Sequence, residues 1–114
     1  MKITHAFRFE AAHWLPHVPP THRCRNMHGH TYRAEVTLSG KVRDDGMVAD
    51  FYELEAAMMP VLAQLDHATL NEVMENPTAE NIAAWIAERL ALPQLASVRV
   101  YENPDCWAEW ERER

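Results

Sequence analysis

Along residues 2–12 the chain alternates: Ile3, His5, Phe7, Phe9 and Ala11 share one parity, and Lys2, Thr4, Arg8 and Glu10 take the other. Successive side chains of an extended chain point to opposite faces, so a period of two predicts a half-buried strand. His13 falls in phase with its aromatic face. The next stretch, WLPHVPPTHRCRNM, holds three prolines and predicts an irregular loop. Alternation resumes over residues 29–39, where His28, His30, Tyr32, Ala34, Val36 and Leu38 are set against Thr31, Arg33, Glu35 and Thr37, a second strand. SGKVRDDG then turns the chain into a short run, MVADF.

After Asp50, which suits an N-cap, the period becomes helical. Leu54, Ala57, Met58, Val61, Leu62 and Leu65 form an apolar stripe that predicts a helix from Phe51. Pro60 lies inside the stripe and should kink the helix or split it in two, because it lacks an N–H and its ring crowds the preceding turn. LDHATLNE ends the segment. In NPTAEN, Thr78 reads as the N-cap of a second helix, with Glu80 favourable in its first turn. That helix runs to about Leu92, with Ile82, Ala83, Ile86 and Leu90 inward, and Pro93 stops it. Residues 95–102, LASVRVYE, form a third strand, and CWAEWERE forms a fourth. The order β-β-α-α-β-β predicts an α+β fold: one antiparallel four-stranded sheet with two helices on one face. With no linker or repeat in 114 residues, a single domain over 1–114 is expected. The two open edges of such a sheet are a pairing hazard or an assembly opportunity.

Composition narrows the function. A net charge of −6 argues against a nucleic-acid binder, which needs a basic footprint, but leaves room for an anionic small molecule met by a local cationic cluster. No apolar run approaches the roughly 18–20 residues of a membrane span, and the charged, proline-bearing start carries no signal-peptide core. A cytoplasmic protein with no membrane partner is therefore expected. The two cysteines, Cys24 and Cys106, are too few for a disulfide scaffold. The seven histidines are the unusual feature.

Strand geometry makes three of them a candidate site. His28 and His30, at i and i+2, project from one face, and Gly29 between them carries no side chain on the other. An antiparallel pairing would lay His13 alongside. Three imidazoles with no obvious fourth protein ligand suit a catalytic Zn²⁺ with an open position, although the donor set also fits other divalent ions. His-x-His alone is weak evidence, and a Cys24-x3-His28-x-His30 structural knot, completed by His17 or His22, is the competing metal reading. Cys24 is flanked by Arg23 and Arg25, cations that favour a thiolate. Asp66-His67 offers a carboxylate that could orient an imidazole, or merely a polar helix end. Glu102 closes the strand carrying Ala96, Val98 and Val100, either as a structural ion-pair partner or as a ligand anchor.

The segments FRFEAAHWLPH, CRNMHGHTY, MVADFYEL, LDHATLN, NPTAEN and VYENP, in this order, resemble the signature segments of the 6-pyruvoyltetrahydropterin synthase family. The resemblance spans nearly the whole chain. The short Cys-x3-His-Gly-His spacing is similar to the bacterial 6-carboxytetrahydropterin synthase branch of queuosine and 7-deazaguanine biosynthesis. The animal pyruvoyl enzymes carry a longer insertion there, and a folate-related branch carries glutamate where this chain has Cys24. The resemblance implies that His13, His28 and His30 bind zinc and that Cys24 is the catalytic acid or base. It further implies that Asp66 and His67 are relay partners, that Glu102 binds the pterin edge, and that Thr78 helps hold the ring. It also implies the tunnelling fold, with subunits joined edge to edge into trimeric rings that stack as a homo-hexamer. The implied reaction converts 7,8-dihydroneopterin triphosphate to 6-carboxy-5,6,7,8-tetrahydropterin, releasing acetaldehyde and triphosphate, in a zinc-dependent carbon–carbon lyase. Lys2, Arg8, Arg23 and Arg25 are candidate triphosphate ligands. The alternatives are a pyruvoyltetrahydropterin or sepiapterin-type activity, or a non-catalytic zinc-binding module. Cys106 reads as a bystander, and His22 has no assigned role.

Overall fold

The computed structural model describes residues 1–113. Strands β1 (Lys2–His13) and β2 (His28–Ser39) pair antiparallel along their whole length, from Lys2 opposite Ser39 to His13 opposite His28. Helices α1 (Phe51–Leu65) and α2 (Ala79–Leu90) lie on the apolar face that the alternation defines. Between them a two-residue strand, β3 (Ala68–Thr69), runs parallel to Ala11 and Ala12. Strand β4 (Leu95–Asn103) pairs antiparallel with β2, and β5 (Cys106–Glu111) with β4. The sheet order is β3-β1-β2-β4-β5. The expected four strands thus gain a fifth, too short to leave any alternation and created only by its contact with β1.

Burial follows the two periodicities. Phe7, Phe9, Tyr32, Val36 and Val98 from the sheet meet Leu54, Met58, Ile82 and Ile86 from the helices in one core. Phe9 and Tyr32 stack across the ladder with ring centroids 4.9 Å apart. Each large apolar side chain buried in this way contributes on the order of 1.5–3 kcal/mol relative to exposure. Asp50 caps α1, its side chain accepting from the Tyr52 N–H, and Thr78 caps α2 by accepting from the Asn81 N–H.

Three details sharpen or correct the pattern reading. Helix α1 passes through Pro60 without splitting. Pro60 and Ala56 both lie on the exposed side, where water can serve the Ala56 carbonyl that the missing N–H leaves free. Helix α2 stops at Leu90, not near Leu92, because Ala91 adopts a left-handed conformation with φ 47° and its N–H closes on the Ala87 carbonyl. In β4 the buried residue is Leu95, with Ala96 half-buried, because the register against β2 shifts between Thr37 and Leu38. Beyond that irregularity Val98 and Val100 face the core as expected. No helix among the described residues is long and apolar enough to cross a membrane.

Candidate metal centre and active site

The β1–β2 register sets His13 directly opposite His28 and Ala11 opposite His30. Directly opposed residues of an antiparallel pair share a face, so the three imidazoles converge at one end of the ladder. Their ring centroids lie 4.5, 5.1 and 4.9 Å apart pairwise. One ligand atom from each falls within 4.8 Å of the others, the only such cluster of histidine, cysteine and carboxylate groups given by the described residues.

The environment fixes which nitrogen two of the rings offer. His13 Nδ1–H donates to the Pro77 carbonyl at 2.8 Å, and His28 Nδ1–H donates to the Asn26 carbonyl at 2.7 Å. A carbonyl only accepts, so both rings carry their proton on Nδ1 and present a lone pair on Nε2. His13 is 1% exposed, and the Nε2 atoms of His13 and His30 are buried with no hydrogen-bond partner among the described residues. Buried polar atoms without partners are rare and costly, and two on neighbouring rings of one three-histidine cluster are what a cation-binding site leaves when described without its ion. Three neutral nitrogens fit zinc or a similar divalent ion, with one coordination position left for a substrate. Desolvation by burial holds His13 below the ordinary histidine range, partly offset by the Pro77 hydrogen bond. Burial lowers His30 in the same way. Both shifts favour the neutral, ligating form.

The four-ligand knot does not assemble. Cys24 sits in a 3₁₀ turn, Arg23–Arg25, outside the ligating cluster. His22, unassigned from sequence, is the N-cap of that turn: its Nδ1 accepts the Cys24 N–H at 3.0 Å. His17 pairs with Glu75 at 2.7 Å. The Cys24 carbonyl accepts from the Leu15 N–H at 2.8 Å, which pins the turn against the end of β1 and leaves the half-buried thiol free.

Asp66 and His67 form a pair where α1 ends. Asp66 Oδ2 accepts His67 Nδ1–H at 2.9 Å, and Asp66 Oδ1 accepts the Glu10 N–H at 2.9 Å. The Glu10 backbone bond, then the His67 bond, hold the Asp66 carboxyl below the usual carboxylate range. His67 has a left-handed backbone, φ 59°, and its exposed ring keeps Nε2 free. His67 and His30 line one open cleft of about 470 Å³ together with Glu10, Thr31 and Thr69. Cys24 does not line it, so within one chain the thiol and the Asp66–His67 pair do not share this cleft.

Glu102 reaches the cluster from β4. Its charge acts on His13, His30 and Tyr32, and among the described residues it has no ion-pair or side-chain hydrogen-bond partner. The structural ion pair weighed from sequence is therefore not formed among the described residues. Glu102 and Cys106 line a small hollow of about 180 Å³ with Glu80 and Trp107. Thr78 Oγ1 accepts the Asn81 N–H at 3.1 Å, one residue beyond the carbonyl that orients His13. Sequence reasoning missed the Pro77 carbonyl, which no side-chain pattern reports. It also missed Asn71, which binds the backbone beside His13, although LDHATLN contained it.

Comparison with known proteins identifies the family. The family model described as 6-pyruvoyl tetrahydropterin synthase matches residues 2–113. A putative 6-carboxy-5,6,7,8-tetrahydropterin synthase of Archaeoglobus fulgidus is 45% identical over 91% of this chain and 90% of its own length. The dihydroneopterin monophosphate aldolase of Pyrococcus furiosus is 39% identical over 78% of this chain and 74% of its own. The structure of Caenorhabditis elegans 6-pyruvoyl tetrahydropterin synthase superposes with a TM-score of 0.90 at 28% identity, over 99% of this chain and 96% of that one. With a match that runs nearly end to end and the same fold, the chain belongs to the 6-pyruvoyl tetrahydropterin synthase family.

Proposed function

We propose that this chain is a zinc-dependent carbon–carbon lyase that converts 7,8-dihydroneopterin triphosphate to 6-carboxy-5,6,7,8-tetrahydropterin, releasing acetaldehyde and triphosphate. The observation that carries the reading is the convergence of His13, His28 and His30 with buried, unpartnered Nε2 atoms on His13 and His30. When bound there, zinc supplies Lewis acidity to the hydroxyls of the substrate side chain.

The chain's own residues bind and move protons. Glu102 accepts the two adjacent N–H donors of the pterin edge, N3–H and the 2-amino group, in a bidentate pair. Thr78, whose oxygen already accepts the Asn81 N–H, still has its hydroxyl proton to donate to the ring. Cys24, between Arg23 and Arg25, takes a proton as thiolate. Asp66 holds the Nδ1 proton of His67, so His67 Nε2 is the atom that exchanges the opposing proton. Because Cys24 does not share the cleft that His67 lines within one chain, we infer a homo-oligomer built on the open edges of β1 and β5, as stacked trimeric rings. We place the protein in the cytoplasm, in 7-deazaguanine biosynthesis of the queuosine type.

A second reading follows from the 39% identity to the Pyrococcus furiosus aldolase: cleavage of the same side chain without further rearrangement. One experiment separates them. Purified protein of measured metal content is incubated with 7,8-dihydroneopterin triphosphate and the products are identified. Acetaldehyde with the 6-carboxy pterin supports the lyase. A two-carbon hydroxyaldehyde or its phosphate supports the aldolase, and a pyruvoyl product supports the sister synthase. Protein with no stoichiometric metal and no turnover overturns all three.

A further inference from the structure

The segment that follows α1 is laced along the outer edge of β1. Asp66 Oδ1 accepts the Glu10 N–H, and the Glu10 carbonyl accepts the His67 N–H. Strand β3 then pairs with Ala11 and Ala12. There the ladder on that side stops, one residue short of the ligand His13. Asn71, in a 3₁₀ turn over Leu70–Glu72, continues it with its side chain: Oδ1 accepts the Trp14 N–H at 3.0 Å, and Nδ2–H donates to the Trp14 carbonyl at 2.8 Å. Farther along the same segment, the Pro77 carbonyl accepts His13 Nδ1–H. The turn holding that carbonyl is tied by the Thr78 N–H and by Asn81 Nδ2–H, both donating to the Asn76 carbonyl.

A carboxamide is suited to this place. It offers one donor and one acceptor at the spacing of a peptide group, as Asp or Leu does not. Trp14 is the residue at which β1 gives way to the proline-bearing loop, and terminal residues of strands open most easily. The last residue of β1 is also the most buried of the three histidines. Local opening at Trp14 would carry the His13 backbone with it.

We propose that Asn71 is a positioning residue for the metal centre, closing the end of β1 at Trp14 so that His13 Nε2 stays aimed at the ion. It touches neither the metal ligand atoms nor the reacting groups. This inference rests on reading His13, His28 and His30 as a metal site. Outer residues that orient a ligand change metal affinity by about 10–100-fold.

The test is the Zn²⁺ dissociation constant of the full chain by chelator competition, with the visible absorption of the Co²⁺-loaded protein as a report on ligand geometry. Asn71→Ala is expected to weaken zinc binding by about 10–100-fold and to shift or broaden the cobalt bands. Asn71→Asp, which keeps the acceptor for the Trp14 N–H and loses the donor, should fall between Asn71→Ala and the wild type. Gln94→Ala removes a side-chain bond to the Val48 carbonyl at the opposite end of the sheet, and should lower the melting temperature without moving either readout. Zinc affinity within twofold of wild type in Asn71→Ala overturns the inference, as does an equal loss in Gln94→Ala. If Asn71→Ala is not recovered folded, Asn71→Asp decides by the same criterion. A wild-type protein that binds no zinc removes the metal reading and this inference together, whereas tight binding in wild type and variants alike removes only the role of Asn71.

Discussion

The two ends of the β1–β2 ladder are built from the same kind of strand and differ in how they treat polar atoms. At the Lys2–Ser39 end no buried side-chain polar atom among the described residues lacks a partner. The Ser39 N–H donates to the Gln94 carbonyl, and Arg112 donates from Nε and Nη2 to the Leu95 and Leu92 carbonyls at 2.7 and 2.9 Å. At the His13–His28 end lie all the buried side-chain polar atoms found without partners among the described residues: His13 Nε2, His30 Nε2 and Tyr32 OH. An interior that satisfies its polar groups elsewhere and leaves them open at one place marks that place for a ligand. The first end serves stability, and the second end gives up some stability to hold unpaired donor atoms.

The largest test of this contrast is His13→Ala. It removes the buried, doubly braced ligand, and should abolish stoichiometric metal by elemental analysis together with all turnover. Retention of a full equivalent of metal would show that the two ends do not differ in this way. Cys24→Ala should lower turnover by about 10²–10⁴-fold, the usual worth of a positioned acid or base, with metal content unchanged. A coincident loss of metal would instead make Cys24 a ligand. The third test is acid. Burial lowers His13 and His30 below their ordinary value, so acidification protonates them more readily in the unfolded chain than in the folded one. For the metal-free protein, this contribution to stability is fully present above about pH 6.5 and is lost as pH falls below it towards the folded-state values. Melting temperatures taken from pH 7.5 downwards should show the drop, and His13→Asn should flatten it. The smallest effect is expected at the other end, where Arg112→Ala should cost on the order of 1 kcal/mol of unfolding free energy by removing two hydrogen bonds from an exposed side chain, the Leu92 carbonyl keeping the Leu95 N–H. Metal affinity should be unmoved.

Much of this contrast was legible in the sequence. Alternation fixed the faces of β1 and β2, and face plus pairing brought His13, His28 and His30 together, because in a strand side-chain direction is a matter of parity. The caps Asp50 and Thr78 were equally readable, since each depends on one side chain beside its own helix. What stayed hidden depends on contacts between segments far apart in the chain. Strand β3 exists only because β1 lies beside it, and the Pro77 carbonyl orients His13 through a backbone atom whose residue type is irrelevant. The role of Asn71 needed the knowledge that residues 14 and 71 are neighbours. Whether Pro60 kinks α1 or splits it is open in the sequence for a related reason: the outcome depends on what surrounds the carbonyl that the proline strands, and the helix continues through it. The role of His22 as a cap on the Cys24 turn is local, yet a histidine is not the residue type that a search for caps begins with.

The left-handed backbone of His67 has a consequence for anyone seeking to make this protein more robust. A non-glycine residue at positive φ costs on the order of 1 kcal/mol or more, and backbone preference alone would choose glycine there. Redesign guided by stability would therefore single out position 67 early, and would delete the one imidazole that Asp66 orients. At this joint, durability and the proton exchange proposed for His67 pull on the same residue in opposite directions.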